Sequence, residues 1–424
     1  MRFHNLKLDS QTVDFASAVR QGLGDKQGLF FPKQFSPISQ VETLLELPKL
    51  ARNFQILKPF VQNNLSDSQL EDVIKATFSF PTELRPVSSS ISCLELFHGP
   101  TLAFKDFGAT FMAQCLGHFS NDKKITILTA TSGDTGAAVA RAFYGLENIE
   151  VVILYPKGKI SELQEKMFTT LGGNIRTIAV AGAFDDCQQL VKQSFDDKSL
   201  VERVGLNSAN SINISRLLAQ VCYYFDAVSN LPTQQRNQIV VSVPSGNFGN
   251  LTAGIIAKLL GLPVKRFIAC TNSNDTVPRY LETGKWLPKS TISTLSNAMD
   301  VSQPNNWPRI EYLIDSGQFN AAQLSGCKVD EDETKHAMLE LRDGGYISEP
   351  HAAVAYQGLK KSLKPDEQGI FLGTAHPAKF KQSVDEILAL DLPLPQALAE
   401  CSQKNSLSID MLNDFEQLKE FLLS

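Results

Sequence analysis

Short apolar strands alternate with longer helices through the middle of this sequence of 424 residues. The first series is predicted as alternating strands and helices at residues 125–128, 137–144, 151–154, 161–171, 175–180 and 184–195. Two strands of one sheet that are joined through a helix run parallel, with a right-handed crossover between them. A second series is predicted with strands and one helix at residues 239–243, 251–260, 267–271 and 369–373. The alternation therefore predicts an α/β fold built on parallel sheets.

The first ninety residues do not follow this alternation and are predicted to be mostly helical. Apolar residues recur at helical spacing in three segments, at residues 10–20, 44–60 and 67–80. Pro81, Pro86 and the serines at 88–90 then mark a boundary. Four prolines make the region 272–315 loop-rich, and a last helix is predicted at 411–423. We expect a mostly helical domain, a smaller α/β domain and a larger α/β domain, in that order, at residues 1–90, 91–230 and 231–424.

The composition is that of an ordinary globular protein, with 43% hydrophobic and 20% charged residues. A net charge of −5 argues against a binder of nucleic acids or anionic membranes, because both need a basic patch. No apolar stretch is long enough to span a membrane, and residues 1–5 lack the apolar core of a secretory signal. The seven cysteines include no Cys-x-x-Cys pair, and the six histidines lack metal-ligand spacing. We therefore expect a cytoplasmic protein without a metal site.

One lysine stands out because aromatic residues flank it at the start of a predicted helix. Lys105 follows a turn at Gly99 and Pro100 and lies between Phe104 and Phe107 in the sequence. Apolar surroundings disfavour the ammonium form and lower the pKa of a lysine, which leaves a free amine to react with an aldehyde. The alternative is a surface lysine whose stem covers the rings while its ammonium group stays in water.

The later of two strand-to-helix loops has the features of a phosphate cradle. Residues 245–250 read Ser-Gly-Asn-Phe-Gly-Asn, and a ligand site is expected where a parallel strand ends and a helix begins. Glycines let the backbone approach an anion, and the helix start offers free N–H groups. The glycine spacing matches neither a Walker sequence nor a dinucleotide fingerprint. An ordinary tight turn is the alternative.

The earlier loop has the features of a carboxylate site. Residues 131–136 read Thr-Ser-Gly-Asp-Thr-Gly, so hydroxyl and N–H donors lie close to a helix start. These donors and the helix dipole together favour a bound anion. The alternative is a helix cap in which Ser132 or Asp134 accepts a hydrogen bond from the first turn.

Together, the lysine and the two loops resemble the second fold type of pyridoxal-phosphate enzymes, which implies two doubly wound parallel-sheet domains. Residues 98–106, His-Gly-Pro-Thr-Leu-Ala-Phe-Lys-Asp, are similar to the cofactor-lysine segment of threonine synthases. Residues 244–250 resemble the cofactor-phosphate loop of that family. Residues 22–32 resemble its N-terminal Gly-Leu…Gly-Gly-Leu-Phe-x-Pro segment, with Gln27 where a glycine is usual. The resemblance covers essentially the whole chain.

The resemblance implies a role for each matching residue. Lys105 would form the Schiff base with pyridoxal 5'-phosphate and carry protons between substrate carbons. The cofactor would also be bound by Gly246, Asn247, Phe248 and Asn250 at its phosphate and by Thr374 at its pyridine nitrogen. The substrate side would be lined by Thr131, Ser132, Asp134 and Thr135. The substrate phosphate would be met by Ser211 and Arg216, in a stretch that resembles the family's Asn-Ser-x-Asn-x-x-Arg.

One of these residues departs from the pattern of other branches of the fold. Asp134 stands where those relatives carry an asparagine beside the cofactor's hydroxyl group. A carboxylate cannot donate the hydrogen bond that an amide can. The contact between Asp134 and the cofactor therefore stays open.

The implied reaction converts O-phospho-L-homoserine and water to L-threonine and phosphate, with the cofactor as electron sink. Such an enzyme takes a small-molecule substrate, needs neither nucleic acid nor membrane, and is expected as a monomer or homodimer. Within the same fold, the alternatives are a serine or threonine dehydratase and a phospholyase that adds no water. From other classes, a nucleotide-binding α/β protein would leave Lys105 structural and predicts a colourless protein, whereas a bound cofactor predicts a yellow one. A non-catalytic binding module is a further alternative, but it would have no reason to keep Lys105, the phosphate loop and Thr374 together.

Overall fold

Two parallel β-sheets with helices packed around them account for most of the chain after residue 80. The computed structural model describes residues 1–119 and 124–424. The α/β architecture predicted from the alternation of strands and helices is confirmed by these sheets. In the part of the chain so described, no helix is both long and apolar enough to cross a membrane.

The N-terminal part combines helices with a small antiparallel sheet of order β2-β1-β3. Its elements are β1 (Phe3–Asn5), β2 (Leu8–Val13), α1 (Phe15–Gln21), β3 (Phe30–Pro32), α2 (Val41–Leu45), α3 (Lys49–Val61) and α4 (Asp67–Thr77). The helix predicted at 10–20 is wrong over residues 10–13, which lie in β2. Thr12 is β-branched and pairs with β1, and Asp14 then starts α1 by accepting a hydrogen bond from the Ser17 N–H.

The middle part of the chain carries Lys105 and the earlier loop. Its elements are β4 (Glu83–Pro86), β5 (Ile91–Glu95), α5 (Lys105–Phe119), β6 (Ile125–Ala130), α6 (Asp134–Phe143), β7 (Ile149–Pro156), α7 (Glu162–Thr169), β8 (Ile175–Ala181), α8 (Phe184–Asp196), α9 (Lys198–Val204), β9 (Leu206–Asn207) and α10 (Ile214–Ser229). The first predicted series of strands and helices is confirmed, with ends that differ by a few residues.

The last part of the chain carries the phosphate loop and Thr374. Its elements are β10 (Ile239–Pro244), α11 (Gly249–Leu259), β11 (Val264–Thr271), α12 (Thr276–Thr283), α13 (Trp307–Asp315), β12 (Leu324–Lys328), α14 (Glu331–Asp343), α15 (Pro350–Ser362), β13 (Gln368–Gly373), α16 (Lys381–Leu388), α17 (Gln396–Ser402), β14 (Ile409–Leu412) and α18 (Phe415–Leu423). The loop-rich region 272–315 holds α12 and α13 near its ends. The helix predicted at 411–423 is wrong at its start, since residues 411–412 lie in β14.

Strand pairing links parts of the chain that the predicted domain ranges separate. One sheet has the order β12-β11-β10-β13-β5-β4 and is parallel except for the β4–β5 pair. The other has the order β14-β8-β7-β6-β9 and is parallel throughout. Strand β5, from the range 91–230, therefore lies in the sheet built mainly from residues after 231. Strand β14, from the range 231–424, lies in the sheet of the middle part.

Helix α10 brings the two candidate loops and Lys105 together. It connects the five-stranded sheet to the six-stranded sheet, and its residues 214–228 are all buried. It packs against both α5 and α11. The first residues of those two helices, Lys105 and Gly249, therefore line one cleft.

Candidate active site

The backbone around Lys105 is fixed by the end of strand β13. The Phe104 N–H donates to the Thr374 carbonyl oxygen at 2.9 Å, and the His376 N–H donates to the Leu102 carbonyl oxygen at 3.0 Å. Leu102 adopts a left-handed conformation with a φ of 57°, which turns the chain just before α5. These bonds place Lys105 and Thr374 on the same cleft.

The Lys105 amine lies in largely apolar surroundings with one carboxylate nearby. Its side chain is 16% exposed, its Nζ lies 5.8 Å from the centre of the Phe104 ring, and Asp134 Oδ2 is 3.8 Å away. Burial lowers the pKa of Lys105 to about 8, a shift that Asp134 opposes and that Lys379 and Arg216 increase. A pKa of about 8 leaves roughly a tenth of the amine unprotonated at pH 7, far more than the ordinary pKa of lysine would.

The expected second aromatic neighbour of Lys105 lies elsewhere. Phe107 is fully buried, with its ring centre 4.5 Å from that of Phe80 and 5.5 Å from that of Tyr223. Residues two positions apart point to different faces of a helix, so Phe107 turns toward the N-terminal part. The prediction that both phenylalanines flank the amine is wrong for Phe107.

The loop at 245–250 forms a cradle of backbone and amide donors. Phe248 has a φ of 61°, and helix α11 begins directly after it, which directs the free N–H groups of its first turn at the cleft. Asn250 accepts hydrogen bonds at Oδ1 from the hydroxyl groups of Tyr223 and Tyr224, at 2.5 and 2.7 Å. Its Nδ2 is buried and has no partner among the described residues. A buried donor without a partner indicates a missing acceptor, such as a phosphate oxygen.

The loop at 131–136 combines a helix cap with cleft-lining residues. The Thr131 hydroxyl accepts hydrogen bonds from the N–H groups of Gly133 and Gly136 at 3.0 and 2.8 Å, so Thr131 and not Ser132 or Asp134 makes the cap. Asp134 is buried, and its Oδ1 binds Lys379 Nζ at 2.7 Å and Gln164 Nε2 at 3.1 Å. Burial alone would raise the pKa of Asp134, but Lys379 and Lys105 hold it well below its usual range.

Arg216 is a buried cation that forms no ion pair with a carboxylate among the described residues, although the charge of Asp106 acts on it. It is 2% exposed, and one of its guanidinium nitrogens donates to the Ala209 carbonyl oxygen. Its Nε has no partner in the described part of the chain. Burial lowers the pKa of Arg216 to about 10. Ser211, five residues earlier, lines the same cleft and accepts a hydrogen bond from Asn306 Nδ2 at 3.3 Å.

The structure brings all the predicted site residues to one cleft. The cleft is lined, among others, by Lys105, Thr131, Ser132, Asp134, Thr135, Ser211, Arg216, Gly246, Asn247, Phe248, Asn250 and Thr374. An amine of lowered pKa, a cradle of backbone and amide donors and a buried guanidinium group thus face one space. This combination fits pyridoxal phosphate at the cradle and lysine, with room for an anionic substrate beside it.

Several polar residues at the cleft were not predicted as site residues. Lys379 and Gln164 bind Asp134, and His351 and Asp300 line the cleft. Lys379 lies five residues after Thr374, in the segment that follows a predicted strand, and this position is a weak signal of a site. His351 and Asp300 belong to segments without a strand-to-helix signature, so their approach to the cleft depends on tertiary packing.

Three family models together match nearly the whole chain. The model described as "Pyridoxal-phosphate dependent enzyme" matches residues 85–372. The models described as "Threonine synthase N terminus" and "Threonine synthase, C-terminal" match residues 3–78 and 352–422.

Individual proteins and solved structures agree with these matches. The chain is 59% identical to threonine synthase of Haemophilus influenzae and 58% identical to that of Escherichia coli, over 100% of each chain. The crystal structure of the Escherichia coli protein superposes with a TM-score of 0.97, covering 100% of this chain and 99% of that one. A PLP-bound threonine synthase of Brucella melitensis, 29% identical, superposes with a TM-score of 0.92 over 100% of this chain and 99% of that chain.

Proposed function

The chain belongs to the threonine synthase family of pyridoxal-phosphate enzymes, and we propose that it uses Lys105 to convert O-phospho-L-homoserine and water to L-threonine and phosphate. The observation that carries the assignment of residues is the cleft that Lys105 shares with a phosphate cradle and a buried arginine. The matches to threonine synthases over the whole chain support this function over that of a nucleotide-binding protein.

Lys105 serves as the attachment point of the cofactor and as the proton carrier of the reaction. When bound, pyridoxal phosphate withdraws electrons from the substrate, which makes protons on its α- and β-carbons removable. Lys105 Nζ then takes and returns these protons, because an amine with a pKa of about 8 is readily used both as base and as acid near neutral pH. Its mostly buried side chain keeps the amine in the cleft while it does so.

The cofactor's phosphate is held by Gly246, Asn247, Phe248 and Asn250. The unpartnered Nδ2 of Asn250 and the start of α11 support this assignment, because both offer donors to an anion. Thr374, at the end of β13, offers a hydroxyl group to the pyridine nitrogen. A hydroxyl does not stabilise a positive charge on that nitrogen as a carboxylate would.

The substrate lies on the other side of the cleft. Ser132 and Thr135 offer hydroxyl groups to its carboxylate, while Thr131 and Asp134 hold the loop in shape through their own hydrogen bonds. Arg216 and Ser211 meet the substrate's phosphate. A buried guanidinium group whose Nε has no partner among the described residues is suited to a dianion, because it supplies charge and several donors in fixed geometry.

The test is product analysis combined with mapping of the reactive lysine. The purified protein should release threonine and phosphate in equal amounts from O-phospho-L-homoserine, whereas a dehydratase or phospholyase would give a keto acid. Borohydride reduction should fix the cofactor on Lys105. Lys105→Ala should abolish turnover, and Lys159→Ala, at an exposed lysine outside the cleft, should not. A label on Lys157, Lys159 or Lys379 would contradict the assignment.

We also propose that the enzyme works in the cytoplasm on a small molecule, as a monomer or homodimer, and without nucleic acid. The net charge of −5 supports the last point. All seven cysteines are free, which is expected in a reducing compartment. Light scattering of the purified protein would separate monomer from dimer.

A further inference from the structure

A second buried lysine lies behind the candidate active site. Lys379 belongs to a short 3-10 helix, Pro377–Phe380, that follows β13 and Thr374. Its side chain is fully buried, and its Nζ donates to the Thr101 carbonyl oxygen and to Asp134 Oδ1, both at 2.7 Å. A buried ammonium group persists only where charge and hydrogen bonds compensate for the lost water. The position of Lys379 is therefore tied to Asp134.

The two carboxylate oxygens of Asp134 lie near different lysines. Oδ1 is bound by Lys379, and also by Gln164 at 3.1 Å. Oδ2 lies 3.8 Å from Lys105 Nζ, which is longer than a hydrogen bond. The carboxylate thus forms a close ion pair with Lys379 and only a looser contact with Lys105.

We infer that Lys379 is a positioning residue that holds the Asp134 carboxylate and balances its charge, so that Lys105 stays available as a free amine. The inference rests on the proposed role of Lys105. Without Lys379, Asp134 would be a buried anion whose nearest cation is Lys105, and the two would form a close pair. Such a pair would stabilise the ammonium form of Lys105 and withdraw it from reaction.

The charged groups around Lys105 and Lys379 determine whether each substitution should raise or lower the pKa of Lys105. Lys105 interacts electrostatically with Asp134, Lys379 and Arg216, and Asp134 interacts with Lys379, Lys105 and His351. Asp106 is a second buried carboxylate whose charge interacts with both Lys379 and Asp134. Removing the cation at 379 should raise the pKa of Lys105, since a repelling charge is lost. Removing the anion at 134 should lower it further, since two lysines then repel each other. Removing both should give an intermediate value.

The experiment measures the pKa of Lys105 directly. The full-length protein, freed of cofactor, is acetylated in trace amounts across a pH range, and the peptide that contains Lys105 is quantified by mass spectrometry. Lys379→Met should raise the pKa of Lys105 by about one unit or more, and Asp134→Asn should lower it. The double variant Asp134→Asn with Lys379→Met should lie between them and should bind cofactor better than Lys379→Met alone.

Control variants distinguish the proposed electrostatic role of Lys379 from a role in packing alone. Lys381→Met removes a nearby lysine that binds Asp385 and Asp391 at 2.5 Å each, and it should leave the pKa of Lys105 unchanged. An unchanged pKa in Lys379→Met would overturn the inference, as would a double variant no different from the single one. If Lys379→Met does not fold, a folded double variant supports charge balance and an unfolded one contradicts it. Borohydride labelling of another lysine in the unaltered protein would instead refute the proposed function.

Discussion

Thr374 is the residue that we propose to meet the ring nitrogen of the cofactor. It follows β13, it is 7% exposed, and its carbonyl oxygen is already used by the Phe104 N–H. Loss of one hydrogen bond should cost about 1 kcal/mol or somewhat more, so Thr374→Val should weaken cofactor binding roughly tenfold. Thr374→Ser keeps the hydroxyl group and should change binding little. Equilibrium dialysis with pyridoxal phosphate measures both variants, and equal retention would count against the contact.

Arg216 should matter to the substrate and not to the cofactor. Charge-assisted hydrogen bonds contribute about 1.5–3 kcal/mol each, so Arg216→Ala should lower kcat/KM for phosphohomoserine by at least tenfold. The visible spectrum of the bound cofactor should stay normal, because the cradle lies in a different loop. Arg203→Ala changes an exposed arginine on α9 and should leave the kinetics unchanged. Full activity of Arg216→Ala, or loss of its cofactor, would exclude the role.

Individual site residues could be predicted where the local sequence pattern indicates their chemical role. Lys105 and the loop at 245–250 have neighbours that limit what they can do, and the structure places both on the cleft. Lys379 lies 245 positions after Asp134 in the sequence, and no local sequence pattern indicates that the two residues contact each other. The alternative of a helix cap at Ser132 or Asp134 named the wrong residue, since several polar side chains in this loop have similar capping propensity and Thr131 accepts the bonds.

At the scale of elements, the loop between β10 and α11 is packed too closely for a side chain at its first glycine. A Cβ added at Gly246 would lie 2.8 Å from both the Ala298 oxygen and the Met299 Cα, which are backbone atoms. Gly246→Ala should therefore move the cradle, with an expected strain of about 1–3 kcal/mol. The dissociation constant of the cofactor should rise roughly tenfold to a hundredfold.

A matched glycine-to-alanine substitution tests whether the weaker cofactor binding expected of Gly246→Ala comes from strain at the cradle. Gly344→Ala adds the same methyl group at a helix end, where the nearest atoms are 3.4 and 3.5 Å away. It should leave cofactor binding unchanged, as measured by titration of the protein with pyridoxal phosphate. Normal binding by Gly246→Ala would show that the cradle does not need this close approach.

Helices and strands with strong local patterns were predictable, and short edge strands were not. β4, β9 and β14 have two to four residues each, which is too few for a periodic pattern. The helix predicted at 10–20 begins too early because Thr12 and Val13 fit either a helix face or a strand, and pairing with β1 decided between them. Strand pairing overrides local preference here.

At the scale of the whole molecule, three parts of the chain meet at one buried arginine. Arg309 on α13 donates to the carbonyl oxygens of Phe30 at 3.0 Å and Ile212 at 2.7 Å. Phe30 belongs to β3 of the N-terminal part, and Ile212 lies just before α10. Burial lowers the pKa of Arg309 to about 9. This side chain therefore joins the N-terminal part, the segment just before α10 that contains Ser211, and the last part of the chain.

The domain ranges predicted from the sequence do not indicate that Arg309 connects these three parts of the chain. The sequence indicates where strands and helices alternate, but the order of strands in a sheet depends on which distant segments pair. Strand β5 joins β13, and β14 joins β8, across the predicted boundaries. Arg309 lies in a region predicted only as loop-rich, and an isolated arginine there has no sequence signal.

Replacement of Arg309 should destabilise the fold and should also weaken the positioning of the segment before α10 that contains Ser211. Arg309→Met keeps much of the volume but leaves buried carbonyl oxygens without a donor, at about 1–3 kcal/mol for each. The midpoint of thermal unfolding should fall by several degrees, while Arg85→Met, in an exposed pair with Glu83, should shift it little. Because Ser211 lies beside Ile212, the KM for phosphohomoserine should rise in Arg309→Met while the cofactor spectrum stays normal. A variant with unchanged KM and unchanged unfolding would show that the three parts hold together without this arginine.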